Sequence, residues 1–283
     1  MILVTGATGT VGGEVVRQLL ATGQPVRALV RPGSAAPKLG NRAEIAVGDA
    51  GRPETLDAAL RGVERMYLLL PMVPALRQWD AGIVLAAQRA GVRHVVKHSN
   101  MGAQDGAGTT MQRWHRAGEM LIESSGMAWT FIRPTGYMTN ALVWAGMIKS
   151  QGAVYAPGGD GRLAVVDPRD IAAVAVAALT EPGHEGRAYD VTGPEALSAA
   201  EQVKTISDEI GKPVTHIDIP ESAARESMIS TGMPAEIADA LTEFMTDVRA
   251  GRSATVSGTV MKVTGQPART FAAWVRENAA AFR

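Results

Sequence analysis

Three glycines spaced three residues apart form the first motif that could do chemistry. They are Gly6, Gly9 and Gly12, in the segment GATGTVG between a β-branched run and an amphipathic helical pattern. The first glycine permits a tight turn, the second lets the backbone approach a pyrophosphate, and the third allows close helix–strand packing. The helix N-terminus offers N–H groups to phosphates. A tight turn without a nucleotide is the alternative, but the context predicts dinucleotide contacts at Gly6, Thr8, Gly9, Thr10 and Val11.

The residue that selects the cofactor in such a site lies about 20 positions beyond the last glycine, at the end of the second strand. A site for NAD usually carries an acid there. Here the segment is Leu29-Val30-Arg31-Pro32, and no acidic residue follows before Glu44. The Arg31 guanidinium can offer two parallel donors to a 2′-phosphate, so we predict NADP(H) as the cofactor. The alternative is a solvent-facing arginine that caps the strand.

Alternating strand and helix patterns must position these residues. Strand patterns alternate with longer helical patterns along this part of the chain, which predicts right-handed crossovers and a parallel sheet covered on both faces. Strands are predicted at 1–5, 26–30, 43–47, 65–70, 93–98, 128–133 and 187–192, and helices at 11–21, 53–60, 76–90, 110–125 and 167–180. The expected fold class is therefore α/β, a Rossmann-type doubly wound parallel sheet.

The pattern changes after Pro134, where helical stretches come to dominate. They are predicted at 198–210, 221–230, 234–250 and 270–280. We therefore expect a smaller, mostly helical C-terminal substrate lobe, packed against the carboxyl ends of the strands. The predicted division assigns 1–135 and 167–192 to the NADP-binding core, and 136–166 and 193–283 to the substrate lobe of one compact unit.

Composition narrows the possible partners. The chain has 283 residues, 46% of them hydrophobic, and its 28 basic and 28 acidic residues balance. A net charge of zero gives no electrostatic reason to expect nucleic acid or an acidic membrane. The absence of cysteine excludes disulfides and thiolate chemistry and suits a reducing compartment. The longest apolar run, Ile171 to Leu179, is far shorter than the roughly 20 residues of a spanning helix. We expect a cytoplasmic protein.

Further segments carry a family resemblance. They are Val26 to Pro32, Gly48-Asp49, and Thr130 to Pro134. Together with the glycine motif they resemble the atypical short-chain dehydrogenase/reductases, most closely the NmrA-like group, which includes NADPH-dependent quinone and azo-dye reductases and redox-sensing regulators. The resemblance extends to about Thr192. It implies that Asp49 and Ala50 lie beside the adenine, and that Pro134, Thr135 and Gly136 flank the nicotinamide. For Asp49, an ordinary turn or helix-capping role is equally consistent.

The proton relay of ordinary short-chain dehydrogenases is missing. Those enzymes carry Tyr-x-x-x-Lys on one helix face, where tyrosine delivers the proton and lysine lowers its pKa. Four residues beyond the four tyrosines of this chain lie Pro71, Ala141, Gly159 and Gly193. The family's lysine position falls on His115 and its tyrosine position on Met111. The relay is therefore absent or rebuilt.

Two residues are candidates for the missing proton chemistry. His115 can donate a proton near neutral pH or bind a ribose hydroxyl, or it is a half-exposed helix histidine. Ser99 follows strand five, where it can bond a substrate oxygen or satisfy the backbone at the strand end. His94 and His98 share a strand face without an evident third ligand, so no metal site is predicted.

Candidate substrate contacts follow the strand ends or lie in helices beyond them, where open α/β sheets bind ligands. They are Met72, Met101, Trp114, Tyr137, Met138 and Trp144. Aromatic and methionine side chains suit a flat, apolar substrate, although most of the 13 methionines are expected to fill the core. We predict an NADPH-dependent oxidoreductase that reduces a carbonyl or quinone group of an apolar, aromatic small molecule. The alternative is a non-catalytic NADP-sensing regulator, the only reading that implies a protein partner.

Overall fold

The computed structural model describes residues 1–34, 43–105 and 108–283. The chain divides into two compact units. The first comprises Met1–Gly108, Gln112–Pro134 and Ile171–Asp190, and the second comprises Thr109–Met111, Thr135–Asp170 and Val191–Arg283. Each unit is made of segments that are distant in sequence, so each depends on long-range contacts.

Strands and helices alternate along the first part of the chain. Short 3-10 segments lie at Pro53–Thr55, Ala103–Asp105, Met138–Trp144 and Ala279–Ala281. In chain order the other elements are β1 (Ile2–Val4), α1 (Thr10–Ala21), β2 (Val26–Val30), β3 (Glu44–Val47), α2 (Asp57–Leu60), β4 (Arg65–Leu68), α3 (Leu76–Arg89), β5 (His94–His98), α4 (Thr110–Ser124), β6 (Ala128–Pro134), α5 (Ala145–Gln151), β7 (Ala153–Ala156), β8 (Arg162–Leu163), α6 (Pro168–Thr180), β9 (Arg187–Val191), β10 (Leu197–Ser198), α7 (Ala199–Ile210), β11 (Thr215–Asp218), α8 (Glu221–Ser230), α9 (Ala235–Arg249), α10 (Thr259–Thr264) and α11 (Phe271–Asn278).

A seven-stranded sheet in the order β3-β2-β1-β4-β5-β6-β9 forms the centre of the first unit. Neighbouring strands from β3 to β6 pair in parallel, for example Leu3 beside Arg27 on one side and Met66 on the other. The strand order reverses between β1 and β4, which is the point where doubly wound sheets bind ligands. The predicted Rossmann-type sheet is confirmed.

Helix α1 shows why these segments fold as they do. Val11, Val15, Val16 and Leu19 recur at helical spacing and are all buried. The helix ends at Ala21, and Gly23 follows with a φ of +76°, which favours glycine. The same unit buries a core cluster that includes Leu3, Leu60, Met66, Ile83, Val95 and Phe131. The loop between β1 and α1 is thus held between a buried strand and a buried helix face.

The second unit contains more β-structure than the sequence predicted. Strands β7 and β11 pair in parallel, with Tyr155 beside Ile217, while β8 and β10 pair antiparallel. The helices expected at 198–210, 221–230, 234–250 and 270–280 are present as α7, α8, α9 and α11. Their core includes Phe271, Trp274 and Phe282. Across the described ranges, every helix is too short or too polar to cross a bilayer.

Candidate functional site

A cavity of about 320 Å³ opens in the first unit at the carboxyl ends of β1, β2, β3 and β4. Its walls come from the connections that follow these four strands, from the last two residues of β2 and from one residue of α3. The lining residues are Thr5, Gly6, Thr8, Gly9, Leu29, Val30, Arg31, Gly48, Asp49, Ala50, Leu69, Leu70, Pro71 and Trp79. Six of the predicted cofactor contacts thus line one cavity: Gly6, Thr8, Gly9, Arg31, Asp49 and Ala50.

The glycine loop has the shape of a phosphate cradle. Gly6 has a φ of +62°, and its carbonyl accepts the Gly9 N–H at 2.9 Å. A Cβ at Gly12 would lie 2.2 Å from the Gly6 carbonyl oxygen, so only glycine fits there. Helix α1 begins at Thr10 with no side-chain cap and no acidic residue in its first turn. The first N–H groups of a helix lack helical partners and favour an anion, so this loop fits the diphosphate of NADP(H).

The edge of the cradle is fixed by Thr5, the residue after β1. Its hydroxyl donates to the Leu69 carbonyl at 2.8 Å and accepts the Leu69 N–H at 2.7 Å. These bonds join the ends of β1 and β4, where the strand order reverses. The turn of the cradle is therefore positioned by the sheet and not only by its own glycines.

Asp49 is both a turn residue and a wall of the cavity. Its Oδ1 accepts the Gly51 N–H at 2.9 Å, and its own N–H donates to the Thr55 hydroxyl at 2.9 Å. The turn role inferred as one alternative is therefore present. Arg31, by contrast, is exposed on the wall of the same cavity, and its guanidinium can reach a ligand there.

The other predicted cofactor contacts do not line this cavity. The Val11 side chain is buried in the core, so only its backbone could serve a ligand. In the second unit, the Thr135 hydroxyl donates to the Ala164 carbonyl at 2.6 Å, and the Gly136 carbonyl accepts the Val166 N–H at 2.9 Å. A nicotinamide contact at Pro134, Thr135 or Gly136 and a phosphate contact at Thr10 stay predictions.

Ser99 belongs to a buried ionic cluster. Its hydroxyl donates to Glu119 Oε1 at 2.6 Å, and only 2% of the residue is exposed. Arg133 holds the same carboxylate through Nε at 2.8 Å and Nη2 at 2.7 Å. From the sequence, Ser99 is expected to bond either a substrate oxygen or the backbone, and neither alternative includes the Glu119 carboxylate. The Ser99 hydroxyl therefore donates its hydrogen bond within the protein, to Glu119.

His115 is electrostatically unsuited to be a charged acid at neutral pH. Burial lowers the pKa of its imidazole well below the usual value, and the neighbouring positive charge of Lys97 lowers it further. Its Nδ1 is buried and makes no hydrogen bond to the described residues. The imidazole is therefore neutral at pH 7. A proton donor near neutral pH would need the imidazolium cation, which is not populated there.

The positive charge beside His115 is itself paired. Lys97 Nζ donates to Asp80 Oδ1 at 2.7 Å, and both side chains are buried. Gly118 of α4 lies directly over this pair, since a Cβ there would be 2.2 Å from Asp80 Oδ2. The ion pair thus joins α3 to β5 beneath a close approach of α4.

The histidines of β5 have protein partners. His98 Nδ1 and the Tyr67 hydroxyl share a hydrogen bond of 2.7 Å, and burial lowers the pKa of His98 to about 3. His94 Nε2 lies 2.9 Å from the Thr130 hydroxyl. Among the described residues, no three histidine, aspartate or glutamate side chains are grouped to hold a metal ion.

The predicted substrate contacts differ in environment. Met138 is only 1% exposed and packs in the core of the second unit, and its role as a substrate contact stays a prediction. Trp144 packs against the same core, and burial raises the pKa of the Tyr137 phenol, which stays protonated. In the first unit, Met101 and Trp114 are half-buried and Met72 is exposed.

Eight cavity residues were not among the predicted cofactor contacts: Thr5, Leu29, Val30, Gly48, Leu69, Leu70, Pro71 and Trp79. The rule that ligands bind beyond the carboxyl ends of strands could have found Leu69, Leu70 and Pro71, which follow β4. Trp79 lies on α3, and no local pattern connects it with the glycine loop. Its place in the wall is a product of tertiary packing.

Comparison with known proteins identifies the family. The profile of the NmrA-like family matches residues 1–257. The chain is 44% identical over 283 residues to the NAD(P)H azoreductase of Xenophilus azovorans, covering 100% of this chain and 99% of that one. It is also 44% identical to the (4-alkanoyl-5-oxo-2,5-dihydrofuran-3-yl)methyl phosphate reductase of Streptomyces griseus, with the same coverage.

A solved structure gives the same result. The NADPH-dependent quinone oxidoreductase of Escherichia coli, crystallised with NADPH, superposes with a TM-score of 0.88 at 29% identity, covering 98% of this chain and 99% of that one. Family profile, full-length relatives and three-dimensional likeness agree. The chain therefore belongs to the NmrA-like family.

Proposed function

We propose that this chain reduces a carbonyl or quinone group of an apolar, aromatic small molecule with NADPH, without a Tyr-x-x-x-Lys relay. Its full-length likeness to NAD(P)H-dependent reductases makes it an NAD(P)H-dependent reductase. The observation that carries the proposal is the cavity of the first unit, which is lined by both the glycine loop and Arg31.

The residues of this cavity divide the work of holding NADP(H). The glycine loop and the start of α1 would bind the diphosphate through backbone N–H groups. The turn at Asp49 and Ala50 would lie beside the adenine, as the family resemblance implies. Arg31 would pair with the 2′-phosphate, because it is the exposed cation on the cavity wall.

When bound, NADPH supplies a hydride from nicotinamide C4. The chain's own contribution is to position the acceptor and exclude misplaced poses, which can lower a barrier by several kcal/mol. No tyrosine of the sequence has a lysine four residues on. The Ser99 hydroxyl donates its hydrogen bond to Glu119, and His115 is neutral at pH 7. The proton of the product is therefore drawn from water or from the substrate.

This chemistry favours acceptors whose anion is stable after hydride transfer, so that the proton can be added afterwards. A quinone is reduced to a stabilised phenolate, and a ketone beside a phenol has an internal hydrogen bond. An unactivated aliphatic ketone has neither and should react poorly. The names of the relatives support an activated acceptor, since they refer to azo, furanone and quinone reduction.

The test is NADPH oxidation, followed at 340 nm against a panel of quinones, aromatic ketones, azo dyes and an aliphatic ketone. We expect turnover with at least one activated acceptor and little or none with the aliphatic ketone. Tight NADPH binding by calorimetry, with no oxidation by any member of the panel, would contradict the proposal and favour the sensing regulator.

A further inference from the structure

Trp79 is a cavity residue that neither the motif nor the family resemblance assigns. It lies in the first turns of α3, is half-buried, and lines the cavity together with Leu29, Asp49 and Leu70. It is the one aromatic residue among the described residues that line this cavity. An indole on the wall of a ligand cavity offers a flat apolar face at low conformational cost.

Two close contacts hold the indole in position. A Cβ at Gly51 would lie 3.1 Å from Trp79 Nε1 and Cε2, so the ring rests against the Gly51 backbone. Near the next turn of α3, a Cβ at Gly82 would lie 2.5 Å from Pro53 Cγ. The segment from Gly51 to Pro53, which continues the Asp49 turn, therefore closes tightly on α3 beside Trp79.

Asp80, the residue after Trp79, joins α3 to the sheet. Asp80 is fully buried and pairs with Lys97 of β5 at 2.7 Å. A buried, hydrogen-bonded ion pair has one geometry and is strongly disfavoured when broken. The start of α3 is thus joined to the sheet on one side and to the Asp49 turn on the other, and Trp79 is preorganised between them.

The other residues that line the cavity indicate which part of a ligand would contact the indole. Leu29, Leu70 and Pro71 are apolar, whereas Arg31 is a cation on the wall of the same cavity. A flat uncharged ring joined to an anionic group satisfies both. On the proposed function, that ring is the adenine of NADP(H), next to the 2′-phosphate held by Arg31.

We propose that Trp79 is a cofactor-binding residue whose indole forms the aromatic wall against the adenine of NADP(H). This inference rests on the proposed function, because it needs NADP(H) in the cavity. It adds an affinity determinant that lies outside the glycine motif and outside the strand ends. Base–aromatic contacts of this kind change affinity by roughly 5-fold to 150-fold when the aromatic ring is removed.

The experiment measures binding of 2′,5′-ADP, which lacks the nicotinamide, by calorimetry and by tryptophan fluorescence. We expect Trp79→Leu to weaken binding by about tenfold or more and Trp79→Phe to retain most of the affinity. The indole emission of the wild type should change on binding, and that change should be smaller in Trp79→Phe. Trp129→Leu is the matched control, since Trp129 is half-buried in the same unit and stacks on Phe131 at 4.2 Å.

The possible outcomes separate the two proposals. Wild-type protein that binds neither NADPH nor 2′,5′-ADP contradicts the proposed function itself. Wild-type protein that binds both, with unchanged affinity in Trp79→Leu, overturns only the role of Trp79. Equal weakening in Trp79→Leu, Trp79→Phe and Trp129→Leu also overturns it, because the effect would then follow the loss of any tryptophan.

Discussion

Arg31 decides between two cofactors that differ by one phosphate. Its guanidinium is exposed on the cavity wall, and no acid stands at the end of β2 to favour a free ribose hydroxyl. We expect Arg31→Ala to weaken NADPH binding by about 1.5–3 kcal/mol and NADH binding little, because a charge-assisted pair is lost. Calorimetry with both cofactors measures the difference. A wild-type protein without preference for NADPH would make Arg31 a mere surface residue.

Ser99 and His115 are expected to assist the reaction without being essential. A general acid typically contributes 10²–10⁴-fold, whereas the Ser99 hydroxyl is hydrogen-bonded to Glu119 and His115 is neutral at pH 7. Ser99→Ala, His115→Ala and the double variant should therefore lose less than about 10²-fold in kcat. The measurement is kcat on the best acceptor across pH. A larger loss at His115 with the disappearance of an acid limb would make His115 the proton donor.

At the scale of single residues, local rules found the glycine loop and Arg31 because their roles depend on short spacings along the chain. The same rules could not find the carboxylate that binds Ser99, since Glu119 is 20 positions away on α4. They also missed Trp79, which meets Gly51 only after α3 has packed. Tertiary contacts between distant segments have no local signal.

The glycine loop is an element whose shape depends on one missing side chain. A Cβ at Gly12 would lie 2.2 Å from the Gly6 carbonyl oxygen, whereas one at Gly13 would be 3.4 Å from the nearest atom, the Ala7 carbonyl oxygen. Gly12→Ala should destabilise the fold by about 1–3 kcal/mol through overpacking and abolish tight NADPH binding. Gly13→Ala is the matched control and should be close to neutral. Urea unfolding and calorimetry check both, and equal behaviour of the two variants would contradict the cradle geometry.

Among the elements, those with a clear apolar pattern were predictable in both units, and helix α8 was predicted at its observed limits. Strand β2 was predicted at its observed limits, and α3 and β5 to within one residue, because apolar periodicity and flanking glycines mark them. Strands β7, β8, β10 and β11 were missed. Two of them have only two residues, and β7 and β11 are defined by pairing across about 60 positions. Such pairing cannot be read from a local pattern.

For the whole molecule, buried titratable groups make stability depend on pH. The pKa of His98 is lowered to about 3 by burial, and that of His115 is also lowered. The unfolded chain therefore binds more protons below about pH 6.5, and stability falls as the pH decreases. Asp170 acts in the opposite direction, because burial raises its pKa to about 6 and the folded state then takes up a proton.

Below about pH 6.5, we expect the free energy of unfolding to fall by about 1.4 kcal/mol per pH unit for each histidine that stays unprotonated in the folded state. Proton uptake by Asp170 in the folded state partly offsets this loss below about pH 6. Urea unfolding at pH 7.5, 6.5 and 5.5 gives the slope in the wild type. Asp170→Asn should lose stability more steeply between pH 6.5 and 5.5 than the wild type does. A free energy of unfolding that does not change over this range in Asp170→Asn would show that the two histidines are accessible to protons.

As a whole, the molecule is proposed to transfer hydride from NADPH to an activated acceptor. The most direct measurement is single-turnover oxidation of NADPH at 340 nm, with hydrogen and with deuterium at nicotinamide C4, using the best acceptor of the panel. We predict complete oxidation of bound NADPH and a slower rate with deuterium, because the C4 bond breaks in the chemical step. Bound NADPH that persists in the presence of every acceptor, or oxidation at equal rates with both isotopes, would contradict the account.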